Sequence, residues 1–162
     1  VYDGLFWASV GISITTPATP TESTYLTQFG LTKRSSYVTG VPLGTTVAQV
    51  KENVGTLTMT ITNPSNVALT NGALISTGTK VTISDGTNTY SYVAVIYGDI
   101  SGDGNINAVD LLNMRKHLLG TQKLTGASLE AAKIAKSSSL TAGDLLYLRR
   151  YLLDNNTYKI AQ

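Results

Sequence analysis

Asp99-Ile100-Ser101-Gly102-Asp103-Gly104-Asn105-Ile106-Asn107-Ala108-Val109-Asp110 is the stretch on which the fold of the C-terminal half turns. Oxygen-bearing side chains recur along it at Asp99, Ser101, Asp103, Asn107 and Asp110, which are positions one, three, five, nine and twelve of an EF-type loop. Asn105, at position seven, offers its backbone carbonyl. Gly104 stands at position six, where such a loop turns sharply. Ile106 is apolar and suits a residue that tucks the loop onto a core. Calcium takes about 6–8 oxygens at ~2.3–2.6 Å, and a tightly wound loop gathers them from one short segment. The spacing predicts one calcium ion, held by Asp99, Ser101, Asp103, Asn105, Asn107 and Asp110.

The loop departs from the full EF-hand pattern in two ways. Its last ligand is Asp110 where that pattern has the longer Glu. The residues before Asp99 read as a strand, so no entering helix is expected. The unit is a loop-helix, with Asp110 at the start of its helix.

Downstream, the helix repeats at an offset of 34 residues. Asp110-Leu111-Leu112-Asn113-Met114-Arg115-Lys116-His117-Leu118-Leu119 aligns with Asp144-Leu145-Leu146-Tyr147-Leu148-Arg149-Arg150-Tyr151-Leu152-Leu153. The loop residues align too, Ile100 with Ile134, Ile106 with Leu140 and Ala108 with Ala142. The ligands do not survive. Asp99 becomes Lys133, Ser101 becomes Ala135, Asp103 becomes Ser137 and Gly104 becomes Ser138, while Asp144 alone remains. A lysine at the first ligand position repels a dication, so the second loop is expected to bind no calcium. Lys133 or Lys136 is a candidate to replace the ion's charge. Leu111, Leu112, Leu118 and Leu119 predict an apolar stripe on the first helix. Its counterpart is expected to pack antiparallel against it. A short helix over 127–132 would connect them, capped by Thr125 or Ser128.

Upstream, the composition changes near Tyr97. Residues 1–96 carry four basic and four acidic side chains, and residues 97–162 carry eight and six. The first part is rich in Thr, Ser, Val and Tyr, which favour strands; the second is rich in Leu, Ala, Lys and Arg, which favour helices. Strands are expected over 36–41, 57–62, 81–83 and 90–96, with a hairpin turn at Asp85-Gly86-Thr87-Asn88. Val47, Val50 and Val54 fall at helical spacing behind a Thr45 or Thr46 cap. Asp85 reads as a turn residue and Glu52 as a solvated helix face. Residues 5–14 read as a strand, and 15–24 as a Pro/Thr spacer. That strand closes an upstream module or joins the sheet that follows. The strand over 90–96 runs into the loop with no flexible linker, which predicts a rigid pair.

The whole-chain figures close off several functions. Net charge is +2 and only 14% of residues are charged, so bulk charge does not drive nucleic-acid binding. With no cysteine and one histidine, His117, there is no disulfide scaffold, thiol nucleophile, Cys-ligated zinc or paired-His mechanism. No apolar run is long enough for a membrane-spanning helix. The opening at Val1, without Met or a leader, reads as a piece of a longer protein.

On the tandem loop-helix units over 97–156, the second half resembles a dockerin. Its first repeat carries the resemblance most fully, from Gly98 through Leu112. A strand-rich module running straight into such a unit is similar to the X-module and dockerin pairs of gut and cellulolytic Firmicutes. The fold class expected is α+β, a small β-rich module with one helix followed by a three-helix dockerin with tandem calcium repeats, the second degenerate. The boundaries are 1–24 for the end of an upstream module and linker (or the X-module's first strand), 25–96 for the X-module and 97–162 for the dockerin.

The resemblance implies binding to a cohesin module of a scaffoldin or cell-surface anchor, outside the cell, by a chain that is a monomer alone. The parent would be a secreted polysaccharide-degrading or polysaccharide-binding protein, or a scaffoldin. The family's recognition positions fall on Ala108, Val109, Leu112, Arg115 and Lys116, and in the second repeat on Ala142, Gly143, Leu146, Arg149 and Arg150. Many dockerins have a Ser/Thr pair where this chain has small apolar residues, which implies a more hydrophobic contact. The repeat would permit two binding orientations; the mismatch between Ala-Val and Ala-Gly argues against their equivalence. Family members often clasp their two ends, and Tyr158 and Ile160 would do so here on Tyr97 or Ile96. Two other readings stand beside this one, a calcium-stiffened structural stalk and a carbohydrate-binding first half using Trp7, Tyr90 or Tyr92. No catalytic constellation is found.

Overall fold

Alternating apolar and hydroxyl side chains build the sheet of the first half. The computed structural model describes residues 21–162 except Asn53. Its elements in chain order are α1 (Glu22–Gln28), β1 (Thr32–Arg34), β2 (Tyr37–Thr39), α2 (Val47–Lys51), β3 (Thr58–Thr62), β4 (Lys80–Ser84) and β5 (Thr89–Ala94), then α3 (Ala108–Leu118), α4 (Gly126–Ala132) and α5 (Ala142–Leu153). β3 buries Met59 and Ile61 and exposes Thr58 and Thr60; β4 buries Val81 and Ile83. This is the period-two pattern of a sheet with one face on a core. The five strands run in the order β1-β2-β5-β4-β3. Among the described residues only the β2–β5 pair is parallel, with Tyr37 opposite Val93. The β4–β5 hairpin closes at Ser84 and Thr89, around the expected turn.

The sheet departs from expectation at its start. Residues 22–24, read as spacer, belong to α1, whose first turn is stabilised by a capping box between Thr21 and Thr24. The Pro/Thr composition hid this cap. Among the described residues the module therefore carries two short helices where one was expected. α1 is tied to the sheet by Glu22, which accepts from Lys33 Nζ at 2.7 Å and Tyr92 Oη at 2.8 Å. The strand expected over 36–41 is shorter, and β1 pairs beside it. Thr46 caps α2 with Gln49 as its box partner, as the Thr-Val spacing predicts. Asp85 is a turn residue that accepts from the N–H groups of Thr87 and Asn88, and it also accepts from Tyr25 Oη at 2.8 Å. The strand reading of residues 5–14, with Trp7 in it, lies outside the described residues. The sugar-platform reading of the tyrosines is not upheld. Tyr92 is buried in the sheet core, and Tyr90 packs against it with its ring 5.9 Å from that of Tyr25.

The second half is three helices. α3 packs on α5, and Met114 and Leu148 are fully buried between the elements together with Ile100, Leu124, Ala132 and Ile134. The predicted leucine stripe is out of phase. Leu111 is half-buried, whereas Leu112, Leu118 and Leu119 are exposed. Neighbouring residues stand 100° apart on a helix; Leu111 of the first doublet turns toward the core, while both members of the second, Leu118 and Leu119, stay outside it. Thr125 is the N-cap of α4, one of the two residues expected there.

The two halves share a buried seam. Val95, Ile96, Tyr97, Asp99 and Ile100 have almost no exposed surface. Arg34 on β1 donates to Tyr97 Oη at 2.7 Å and pairs with Glu130 of α4 at 3.6 Å. Gly98 N–H donates to Ala131 O at 2.9 Å. Strand β5 passes into the loop through the buried Val95, Ile96 and Tyr97.

Candidate functional site

The loop from Asp99 to Asp110 winds around its two end carboxylates. Asp99 and Asp110 are both fully buried. Asp99 Oδ1 accepts from Gly102 N–H at 2.9 Å and Asp103 N–H at 3.1 Å; its Oδ2 accepts from Gly104 N–H at 3.2 Å and from Thr77 N–H, in the other module, at 2.9 Å. Asp110 Oδ1 accepts from the N–H groups of Ile100 and Ser101, and its Oδ2 from Asn107 N–H at 2.8 Å. Gly104 adopts φ +82°, the left-handed turn that its position in the loop requires. Asn107 caps α3, its Oδ1 accepting from Val109 N–H at 2.8 Å, and donates to Asp103 Oδ2 at 3.1 Å. Asp103 Oδ1 accepts from Asn105 N–H. Ser101, Asp103 and Asn105 are exposed at the loop's outer side.

Burial, and then the neighbouring negative charge of Asp110, raise the Asp99 carboxyl above its ordinary range against the N–H bonds that lower it. None of the ion pairs among the described residues involves Asp99, Asp103 or Asp110. Two carboxylates thus lie buried and close in sequence with backbone dipoles as their only described partners. A buried charge in that position is costly unless a cation answers it. Among the described residues no three His, Cys, Asp or Glu side chains form a metal-holding group by themselves. A calcium set does not require one, because it mixes carboxylate, hydroxyl, amide and carbonyl oxygens. The donor chemistry and the unanswered charge fit calcium. Asp99, Ser101, Asp103, Asn107 and Asp110 would hold it, with Asn105 through its carbonyl. The ion would supply the positive charge that the buried pair lacks.

The second loop closes differently. Asp144, also buried, accepts from Ala135 N–H, Thr141 N–H and Thr141 Oγ1, each at 2.9 Å. It thereby does for loop two what Asp110 does for loop one. The idea that Lys133 or Lys136 replaces the ion is not upheld. Lys133 Nζ bonds Glu130 at 2.9 Å, and Lys136 Nζ lies 5.2 Å from the centre of the Tyr97 ring. Both ammonium groups serve the seam between the halves.

The recognition residues lie at the surface. Val109, Leu112 and Leu146 are 51%, 48% and 46% exposed. Ala108, Ala142, Gly143, Arg115, Arg149 and Arg150 are exposed as well, and Lys116 is half-buried. Arg150 stacks over Tyr158 at 5.7 Å, so Tyr158 does not reach the Tyr97 cluster. Ile160 does, and Gln162 adds a pair of hydrogen bonds that the sequence did not signal, accepting from Tyr97 N–H at 2.7 Å and donating to Tyr97 O at 3.1 Å. The sequence reading puts Leu118 and Leu119 in an apolar stripe and does not single out Tyr147 or Leu153, and all four are exposed. Fixing the helix phase on Met114 and Leu148 would have found them.

Residues 97–153 match the family model of the dockerin type I domain. Dockerins are non-catalytic, calcium-binding modules that interact with cohesins. No solved structure matches the chain.

Proposed function

We propose that residues 97–162 form a calcium-dependent plug that docks into a cohesin module. One calcium ion organises the first loop through Asp99, Ser101, Asp103, Asn105, Asn107 and Asp110, and the second loop binds none. The observation that carries this reading is a repeated one. In each copy a buried aspartate in the first turn of the helix fixes the loop, and the same helix presents exposed apolar residues beside arginine. Val109, Leu112 and Leu146 would supply an apolar centre, together with Ala108, Ala142 and Gly143. Arg115, Lys116, Arg149 and Arg150 would supply a basic rim for an acidic partner. An Arg fork gives such a contact direction as well as strength.

The β-rich half acts as an X-module-like rigid neighbour, and the buried seam supports that role. The parent protein is a secreted or surface component of a polysaccharide-degrading assembly, held by a scaffoldin or an anchor. The test is calorimetric titration of the full chain with a panel of cohesins, in calcium and in EDTA. At least one cohesin is expected to bind, and only in calcium. Undiminished binding in EDTA would overturn the calcium dependence; no binding to any of a broad panel would overturn the docking role.

A further inference from the structure

The turn between β3 and β4 presses against the first loop. Thr77 N–H is one of four backbone donors to the Asp99 carboxylate. The other three belong to the loop and move with it. Thr77 is instead anchored to the sheet. Its hydroxyl donates to Ile96 O at 3.2 Å and accepts from Ile96 N–H at 3.0 Å, both bonds buried. Gly102 sits so close that a Cβ there would lie 2.6 Å from Thr77 O, and a Cβ on Gly104 would lie 3.1 Å from Leu74 Cβ. Two loop glycines are thus fitted to the surface of the other module.

We propose that this turn is a brace that sets the calcium affinity of the first loop, with Thr77 as a positioning residue. The inference rests on the reading that the loop holds calcium. A ligand tethered to a rigid sheet needs less ordering when the ion arrives, and such preorganisation raises affinity. Coupling is reciprocal, so the ion must in turn steady the turn. Lys133, in the place of Asp99, has no carboxylate to brace, and the second loop has no such coupling.

The experiment is calcium titration of the full chain by calorimetry, with hydrogen exchange over residues 74–79. Thr77→Val removes the hydroxyl clamp and is expected to weaken calcium binding about fivefold, the worth of one net hydrogen bond. Thr77→Ser keeps the hydroxyl and is expected to bind like the parent. Met59→Ala loosens the sheet core without touching the brace, and is expected to lower the melting temperature but not the affinity. Calcium is expected to slow exchange of the Thr77 amide in the unmodified chain, a readout that stands even if the valine variant does not fold. If the unmodified chain binds no calcium, the calcium reading itself fails. If it binds, but Thr77→Val binds equally well, or Met59→Ala weakens binding as much, or exchange over 74–79 ignores the ion, the brace is refuted.

Discussion

The two loops align in sequence at an offset of 34 residues and diverge in what holds them. Asp110 and Asp144 are equivalent, both buried, both bonded to backbone N–H groups at the head of their loop and at the helix cap. Asp99 and Lys133 are equivalent in alignment and opposite in charge. Loop one gathers carboxylates; loop two gathers serines and a seam of lysines. Closing a loop onto its helix falls to the terminal aspartate in both copies; on the proposed reading, holding a metal falls to the first copy alone, which keeps the oxygen side chains.

The largest effect expected on this comparison comes from Asp144→Ala. It strands three donors, Ala135 N–H, Thr141 N–H and the Thr141 hydroxyl, and removes the capping-box partner of Thr141. A loss of about 2–4 kcal/mol is expected. Thermal unfolding should show the same loss in calcium and in EDTA. A loss that appears only in calcium would mean that loop two binds the ion after all.

Asp99→Ala together with Asp103→Ala attacks loop one. Calcium stabilises the native state by an amount that grows with its free concentration, about 2.7 kcal/mol at a hundred times Kd. The double variant should lose that increment, so that its melting temperature no longer responds to calcium. Cohesin binding should fall with it. A calcium response that persists in the double variant would place the ion elsewhere.

What was legible in the sequence was what is local in the chain. The Thr46 and Thr125 caps and the β4–β5 turn each depend on residues a few positions apart, and each is found where the spacing put it; the proposed loop ligands are read from the same kind of local spacing. The misplaced leucines show the limit of a periodicity argument. Leu111-Leu112 and Leu118-Leu119 are apolar doublets, so two helix phases fit equally well, and burial of Met114 decides between them. The brace was illegible for another reason. Thr77 and Asp99 are 22 residues apart, and the donor is a backbone N–H that every residue but proline carries. No residue type marks such a contact.

The C-terminal segment offers a smaller and sharper discrimination, because it touches the head of both loops. Ile160 packs where Tyr97 and Gly98 lead into loop one, while Gln162 bonds the Tyr97 backbone and its carbonyl lies 3.5 Å from Lys136 Nζ of loop two. Ile160→Ala with Gln162→Ala removes a partly buried side chain and two hydrogen bonds. About 1–2 kcal/mol of stability should go with them. If the segment clasps the seam itself, denaturant unfolding will show the same loss with and without calcium, because the bonded atoms belong to the backbone between the halves. A loss seen only in calcium would instead make the segment an accessory of the metal loop, and the two repeats would differ by one more support than their sequences display.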